Sequence, residues 1–274
     1  MTTAIQIPAG TIRFRGQGAG PPMVFVHGLL VDGRLWDAVL AHLAGQRLIV
    51  PDWPLGSHRS ELAASADLTP PGLARVVADF LAALELDDVT LVANDTGGAI
   101  AQLVVTRHPQ RIRRLVLTNC DAYENFLPPI FRPLQLAARV PGLPQVLLGA
   151  MRSERLRNLP MTFGGLSSAR IDPALTADWL EPARVDPAIR RDLVKVLRGI
   201  SKRYTIEAAR ELGTFGGRTL IAWGRDDPFF KPSYAERLAT EFSDVRLEWI
   251  DRARAFVPLD QPARLGELIT AFTS

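Results

Sequence analysis

A carboxylate lies where the chain is expected to turn from a buried strand into a helix. The segment Ala93-Asn94-Asp95-Thr96-Gly97 follows the apolar run VTLV and precedes the helical pattern GAIAQLVVTRH. Small residues on both sides of Asp95 permit a sharp turn that lifts the central side chain above the sheet. A carboxylate in this position is ionised at pH 7 and can attack carbon without a base to activate it. The simpler interpretation is a helix N-cap, a position that Asp often occupies.

The elements around this turn alternate between short β-branched apolar runs and longer helical patterns. We predict strands over residues 4–7, 11–15, 23–27, 47–52, 89–94, 113–119, 219–224 and 245–250. We predict helices over residues 33–44, 71–86, 97–108, 232–242 and 262–272. This alternation indicates an α/β fold, with a mostly parallel eight-stranded sheet covered by helices on both faces.

The alternation stops between residues 122 and 211, where the chain is rich in Pro, Arg and Leu. This segment is too long for a loop and too apolar for a disordered linker. We predict a helical cap over 122–211, inserted into a core domain of residues 1–121 and 212–274. The apolar composition of the cap favours a mostly hydrophobic small molecule as the occupant of the site.

Three motifs resemble the α/β-hydrolase superfamily, and the resemblance covers nearly the whole chain outside the cap. They are the turn at Asp95, the strand and His-Gly loop MVFVHGLL, and the strand-end segment TLIAWGRDDPFF. The resemblance implies an oxyanion hole formed by the main-chain amides of Leu29 and Thr96. It also implies that Asp227 orients a catalytic histidine, with Asp226 as the alternative one position earlier.

An Asp at the elbow resembles one branch of that superfamily: haloalkane dehalogenases, fluoroacetate dehalogenases and epoxide hydrolases. The resemblance implies that Asp95 attacks an sp³ carbon and forms an alkyl-ester intermediate. Thr96 and Leu29 occupy positions where haloalkane dehalogenases place Trp and Asn to hold halide. Epoxide hydrolases use two cap tyrosines as acids, and Tyr123 and Tyr204 lie in or beside the predicted cap.

The histidine expected after the eighth strand is missing. The segment IDRARAFVPLDQP matches the pattern around that residue and places Ala255 at its position, and no histidine follows His108. Three explanations are compatible with this: an experimenter's substitution, a natural protein that uses Asp95 differently, or a protein that has lost catalysis. His58, in a loop that borders the active-site mouth in this fold, is a candidate substitute proton carrier, although a hydrogen-bonded loop histidine is the simpler interpretation.

These residues predict a hydrolase of a small, mostly apolar molecule with Asp95 as nucleophile and an incomplete triad. One alternative is a lyase, isomerase or cyclase that uses Asp95 as an acid or base. The other is a non-catalytic ligand-binding protein of the same fold. No cofactor and no metal are expected.

Composition limits the classes of partner. The formal net charge is +3, but the Lys and Arg residues are interspersed with carboxylates, so nucleic acid is not an expected partner. Cys120 is the only cysteine, which excludes an internal disulfide and fits a reducing compartment. The chain has no apolar run of the length of a signal peptide or membrane span, so we expect a cytoplasmic protein without a membrane partner.

Overall fold

A computed structural model describes residues 2–274 of the chain. One eight-stranded sheet forms the centre, and its strands lie in the order β1-β2-β4-β3-β5-β6-β7-β8. The strands are β1 (Thr2–Ile7), β2 (Gly10–Gln17), β3 (Pro22–Val26), β4 (Arg47–Pro51), β5 (Val89–Asp95), β6 (Ile112–Cys120), β7 (Arg218–Gly224) and β8 (Val245–Ile250). β2 pairs antiparallel with β1 and β4, whereas the other neighbouring pairs are parallel. The predicted fold class is therefore confirmed.

The helices that cover this sheet come from both predicted and unpredicted segments. They are α1 (Asp37–Leu40), α2 (Pro70–Ala83), α3 (Thr96–Arg107), α4 (Arg132–Ala137), α5 (Leu143–Ala150), α6 (Glu154–Arg157), α7 (Phe163–Leu166), α8 (Pro173–Val185), α9 (Pro187–Gly199), α10 (Lys202–Ala209), α11 (Pro232–Glu241), α12 (Val257–Asp260) and α13 (Pro262–Thr273). Short 3₁₀ turns cover Gly33–Trp36, Pro109–Arg111, Pro129–Phe131 and Leu212–Thr214.

The central strands are the most buried part of the chain. Every residue of β5 before Asp95 is buried, as are the last six residues of β6 and of β7. Such strands are apolar on both faces because helices cover both sides of a parallel sheet. Their carboxyl ends meet at one edge, and this edge carries the residues singled out above.

One predicted helix differs from the structure. Residues 33–44 were expected to form a single helix, but they form a 3₁₀ turn followed by the four-residue helix α1. The Asp32 side chain accepts a hydrogen bond from the Arg34 amide and starts the segment as a tight turn. The apolar spacing predicts which residues face the core, but it does not distinguish these two kinds of turn.

Seven helices, α4 to α10, lie between β6 and β7, in the segment predicted to form a cap. The last of them, α10, packs against α3 of the core. The division into a core domain of residues 1–121 and 212–274 and a cap over 122–211 stays a prediction.

None of the helices within residues 2–274 is both long enough and apolar enough to cross a membrane.

Candidate active site

The turn at Asp95 has the geometry that its sequence predicts. β5 ends at Asp95 and α3 begins at the next residue. Asp95 has φ +56° and ψ −133°, a conformation that L-residues rarely adopt and that costs on the order of 1–3 kcal/mol. Asn94 and Thr96 are buried, whereas Asp95 keeps partial exposure to solvent. Within residues 2–274 the Asp95 side chain makes no capping bond to the first turn of α3 beyond the Thr96 amide.

Two glycines leave room for this turn. A side chain at Gly28 would collide with the carboxylate of Asp95, so the loop after β3 lies directly against that carboxylate. A Cβ atom at Gly97 would lie 2.5 Å from the main-chain oxygen of Val26. Glycine is therefore required at both positions. A side chain at Gly28 would collide with the Asp95 carboxylate, and one at Gly97 would collide with the main chain of β3.

The surroundings of Asp95 oppose its negative charge. Burial raises the pKa of Asp95 to about 7, a hydrogen bond from the Thr96 amide opposes this shift, and the nearby charge of Asp227 adds to it. The Thr96 amide is one of the two predicted oxyanion donors. The other predicted donor belongs to Leu29, which is partly exposed and follows Gly28.

Asp227 is a buried acid with well-defined partners. One carboxylate oxygen accepts hydrogen bonds from the amides of Phe229 (2.7 Å) and Phe230 (3.1 Å). The other oxygen accepts a bond of 2.8 Å from the Asn119 side chain. Burial raises the pKa of Asp227 to about 6, against the effect of these bonds. Its neighbour Asp226 is exposed, so the structure favours Asp227 as the acid of the site.

Ala255 lies between the two acidic turns. Its carbonyl oxygen accepts a hydrogen bond of 2.7 Å from the side chain of Asn94, the residue before Asp95. Two residues earlier, the Ala253 carbonyl accepts a bond of 3.0 Å from the amide of Asp226. The loop between β8 and α12 therefore contacts both turns.

His27 holds the loop that follows β3. Its Nε2 atom accepts a hydrogen bond from the Trp53 amide at 2.9 Å, so its proton lies on Nδ1, which donates to the Gly28 carbonyl at 2.9 Å. Burial lowers the pKa of His27, which keeps the ring neutral. The ring thus orients the main chain around Gly28 and Leu29.

Three auxiliary candidates have partners elsewhere in the fold. His58 is buried, and its ring lies 3.4 Å from Asp192 of α9. The Tyr123 hydroxyl donates to Glu241 at 3.3 Å. The remaining candidate, Tyr204, has its hydroxyl beside the guanidinium of Arg203. The structure brings the turns of Asp95, Asp227 and Ala255 together, and it gives His58, Tyr123 and Tyr204 partners outside these turns.

Two further polar residues at this edge were missed by the sequence analysis. Asn119 accepts a hydrogen bond from the Gly224 amide at 2.6 Å and thereby joins β6 to β7 while its amide group holds Asp227. Asp121 is fully buried immediately after β6. The available signal was the polar pattern Thr-Asn-Cys-Asp directly after the apolar run Leu-Val-Leu.

A surface pocket lies on the cap side of the Ala255 loop. It encloses about 810 Å³, and its lining contains three arginines but not Asp95: Arg155, Arg170 and Arg254. Arg170 is paired with Glu154. The lining of this pocket is polar, whereas the sequence predicts a mostly hydrophobic molecule as the occupant of the site.

The family follows from comparison with known proteins. A family model described as alpha/beta hydrolase fold matches residues 21–262. The chain belongs to this family.

Several individual proteins resemble the chain. It is 27% identical to haloalkane dehalogenase 2 of Mycobacterium bovis over 95% of this chain and 90% of that protein. It is 38% identical to 2-hydroxymuconate semialdehyde hydrolase of a Pseudomonas species, over 36% of each chain. Among solved structures, an alpha/beta hydrolase fold protein from Burkholderia ambifaria has a TM-score of 0.83 at 21% identity, covering 98% of this chain and 97% of that one. Haloalkane dehalogenase DbeA from Bradyrhizobium elkani has a TM-score of 0.82 at 17% identity, covering 99% and 97%.

Proposed function

We propose that the protein is a hydrolase that uses Asp95 as its nucleophile on a small, largely apolar molecule. The observation that carries this proposal is the partly exposed carboxylate at a strained strand-to-helix turn, directly against the loop that follows β3. An oxygen of Asp95 attacks an sp³ carbon, a C–O bond forms, and the bond to the leaving group breaks. Water then cleaves the resulting ester.

The neighbouring groups support this reaction. The amides of Thr96 and Leu29 stabilise charge on the carboxylate oxygen that does not attack and on the tetrahedral intermediate of ester cleavage. Asp227 and Asn119 keep a polar, negatively charged environment beside Ala255. The similarity to haloalkane dehalogenase 2 supports carboxylate chemistry, although Thr96 and Leu29 lack the side chains expected of a halide cradle.

The second half of the reaction lacks its usual base. In a well-studied serine protease, removal of the triad histidine lowers kcat roughly a millionfold. With Ala255 at the corresponding position, the ester at Asp95 is expected to form faster than it is cleaved. The same residue favours the competing class, a ligand-binding protein without turnover.

Alkylation of Asp95 tests the proposal. The protein is incubated with 1-iodobutane or with 1,2-epoxybutane, and its intact mass is measured over time between pH 5 and pH 9. We expect one adduct, mapped to Asp95, that forms faster as the pH rises through about 7 because the ionised carboxylate is the nucleophile. Asp95→Asn removes the adduct, and Asp251→Asn, a change at an exposed carboxylate, retains it.

Each outcome separates two classes of protein. An adduct that accumulates supports a nucleophile whose ester is not hydrolysed, and Ala255→His is then expected to release the alcohol. Free alcohol from the unaltered chain that depends on Asp95 supports a working hydrolase. If neither an adduct nor free alcohol is detected above the Asp95→Asn background, the proposal is contradicted and the ligand-binding class remains.

A further inference from the structure

A second carboxyl group lies next to the proposed nucleophile. Asp121 is the first residue after β6, and its amide lies 3.4 Å from the carbonyl oxygen of Asp95. In the sheet register, Asp95 is paired with Cys120, so the two turns follow neighbouring strand ends. The Asp121 carbonyl accepts a hydrogen bond of 2.9 Å from the Gln102 side chain of α3, which fixes this backbone.

The Asp121 carboxyl group is incompletely paired. Its Oδ2 atom accepts a hydrogen bond of 3.1 Å from the Thr96 hydroxyl. Its Oδ1 atom is buried without a hydrogen-bond partner, and Asp121 has no ion pair among residues 2–274. A buried, unpaired carboxylate costs several kcal/mol, whereas the neutral acid costs much less. The group is therefore stable in its protonated form.

The charged neighbours of Asp121 act in the same direction. Burial raises the pKa of Asp121 well above its usual range, the charge of Asp95 raises it further, and the Thr96 hydroxyl opposes the shift. Cys120 also faces Asp95 and Asp121, and burial keeps its thiol protonated. Asp227 acts on the pKa of Asp95 from the end of β7. Burial and the charge of Asp95 therefore both favour the protonated form of Asp121.

We propose that Asp121 is the proton store of the site and, acting through the Thr96 hydroxyl, supplies the proton that an oxygen leaving group requires. When Asp95 attacks a carbon of an epoxide, a C–O bond forms and the ring C–O bond breaks. For this step the Thr96 hydroxyl turns its proton from Asp121 Oδ2, to which it donates in the free site, toward the ring oxygen. The ring oxygen takes that proton, and the Thr96 oxygen takes the proton of Asp121. Asp95 has become a neutral ester and Asp121 a carboxylate, so the pair carries one negative charge before and after the step.

The transfer is favoured at the moment when the proton is needed. The charge of Asp95 contributes to the proton affinity of Asp121, and this contribution disappears once Asp95 is esterified. Asp121 thus becomes the stronger acid as the leaving oxygen gains charge. This inference rests on the proposed nucleophile, and it assigns the site to substrates that release oxygen rather than halide.

The test compares two leaving groups on the same nucleophile. Alkylation of Asp95 by 1,2-epoxybutane requires a proton, whereas alkylation by 1-iodobutane releases iodide without one. The ratio of the two alkylation rates at pH 7.5 is measured for the unaltered chain, Asp121→Asn, Thr96→Val and Thr96→Ser. We expect the epoxide-to-iodide ratio to fall about 100-fold in Asp121→Asn and Thr96→Val, the range of general acid catalysis, and to be restored in Thr96→Ser.

The outcomes distinguish this inference from the proposed function. If both rates fall together in Asp121→Asn, the residue has a structural role and the inference is wrong. An unchanged ratio overturns it as well. Absence of the iodide adduct in the unaltered chain contradicts the nucleophile itself. An infrared carbonyl band of a protonated carboxyl group at pH 7.5 that disappears in Asp121→Asn supports the proton store independently of turnover.

Discussion

At the scale of single residues, the site concentrates carboxyl groups where the protein disfavours their charge. Asp95, Asp121 and Asp227 follow three adjacent strands, and burial raises the pKa of each of them. A stable fold gains nothing from such an arrangement, since buried carboxylates reduce the free energy of unfolding. Perturbed acids of this kind are typical of functional sites.

The cost of the Asp95 charge is measurable as a pH-dependent stability. The folded-state pKa of about 7 exceeds the ordinary value of 3.8, so the folded chain binds more protons between these values and loses stability as the pH rises through that range. Asp95→Asn lacks this loss. We expect the free energy of unfolding of Asp95→Asn, measured relative to that of the unaltered chain, to be about 1–3 kcal/mol larger at pH 8 than at pH 5. This value is smaller than the full pKa shift would give because Asp95 is partly exposed.

Thermal unfolding at pH 5 and pH 8 measures this difference. Asp251→Asn serves as the control for loss of an exposed carboxylate and is expected to show the same pH dependence as the unaltered chain. If Asp95→Asn raises the free energy of unfolding by the same amount at both pH values, the surroundings of Asp95 do not disfavour its negative charge.

At the scale of elements, the strand-to-helix unit β5–α3 determines the position of Asp95. Gly98, in the first turn of α3, lies against Cys120 at the end of β6, and an added Cβ atom would come within 2.6 Å of the Cys120 Sγ atom. Helix α3 can therefore approach β6 closely enough for Gln102 to bind the Asp121 carbonyl. The close approach of α3 to the sheet positions both Asp95 and Asp121.

Gly98→Ala is expected to destabilise the protein by about 2–4 kcal/mol, because the added methyl group meets a Cβ atom that cannot move without its strand. Chemical denaturation measures the change. Gly149→Ala is the matched control: Gly149 lies in α5 with nothing within 4 Å of an added Cβ atom, and there alanine is expected to be neutral or stabilising. Equal effects of the two substitutions would argue against tight packing of α3 on β6.

At the scale of the whole molecule, three carboxylates, two of them buried, join the segment between β6 and β7 to the rest of the chain. Asp32 of the core accepts a hydrogen bond of 3.0 Å from the indole of Trp179 in α8. Asp192 of α9 accepts one of 2.9 Å from the Leu62 amide of the core. Asp260, in α12, bonds the amide of Ser168 at 2.9 Å. These contacts set the position of the helices that cover the sheet edge.

Trp179→Phe removes one of these links while it retains an aromatic ring. We expect faster amide hydrogen exchange in α8, equivalent to about 1–2 kcal/mol of lost local stability, with the strands of the core unaffected. Hydrogen exchange followed by mass spectrometry measures it. Trp249→Phe, on β8 away from this link, is the control. Unchanged exchange in α8 would show that the Asp32–Trp179 bond does not hold the helix.

The sequence by itself determined the sheet, most of the helices of the core and the turn at Asp95. These features depend on local rules: apolar periodicity, small residues at fixed spacing, and proline or glycine at element ends. The inserted helices were predicted as a group but not one by one, because short segments interrupted by proline have weak periodicity.

Only the tertiary structure decided which polar groups meet at the sheet edge. Asn119 reaches Asp227 across 108 positions of the chain, and Thr96 reaches Asp121 across 25. The same structure paired His58, Tyr123 and Tyr204 with Asp192, Glu241 and Arg203. Such contacts depend on strand order and on the packing of helices against strands, neither of which leaves a periodic signal in the residues themselves.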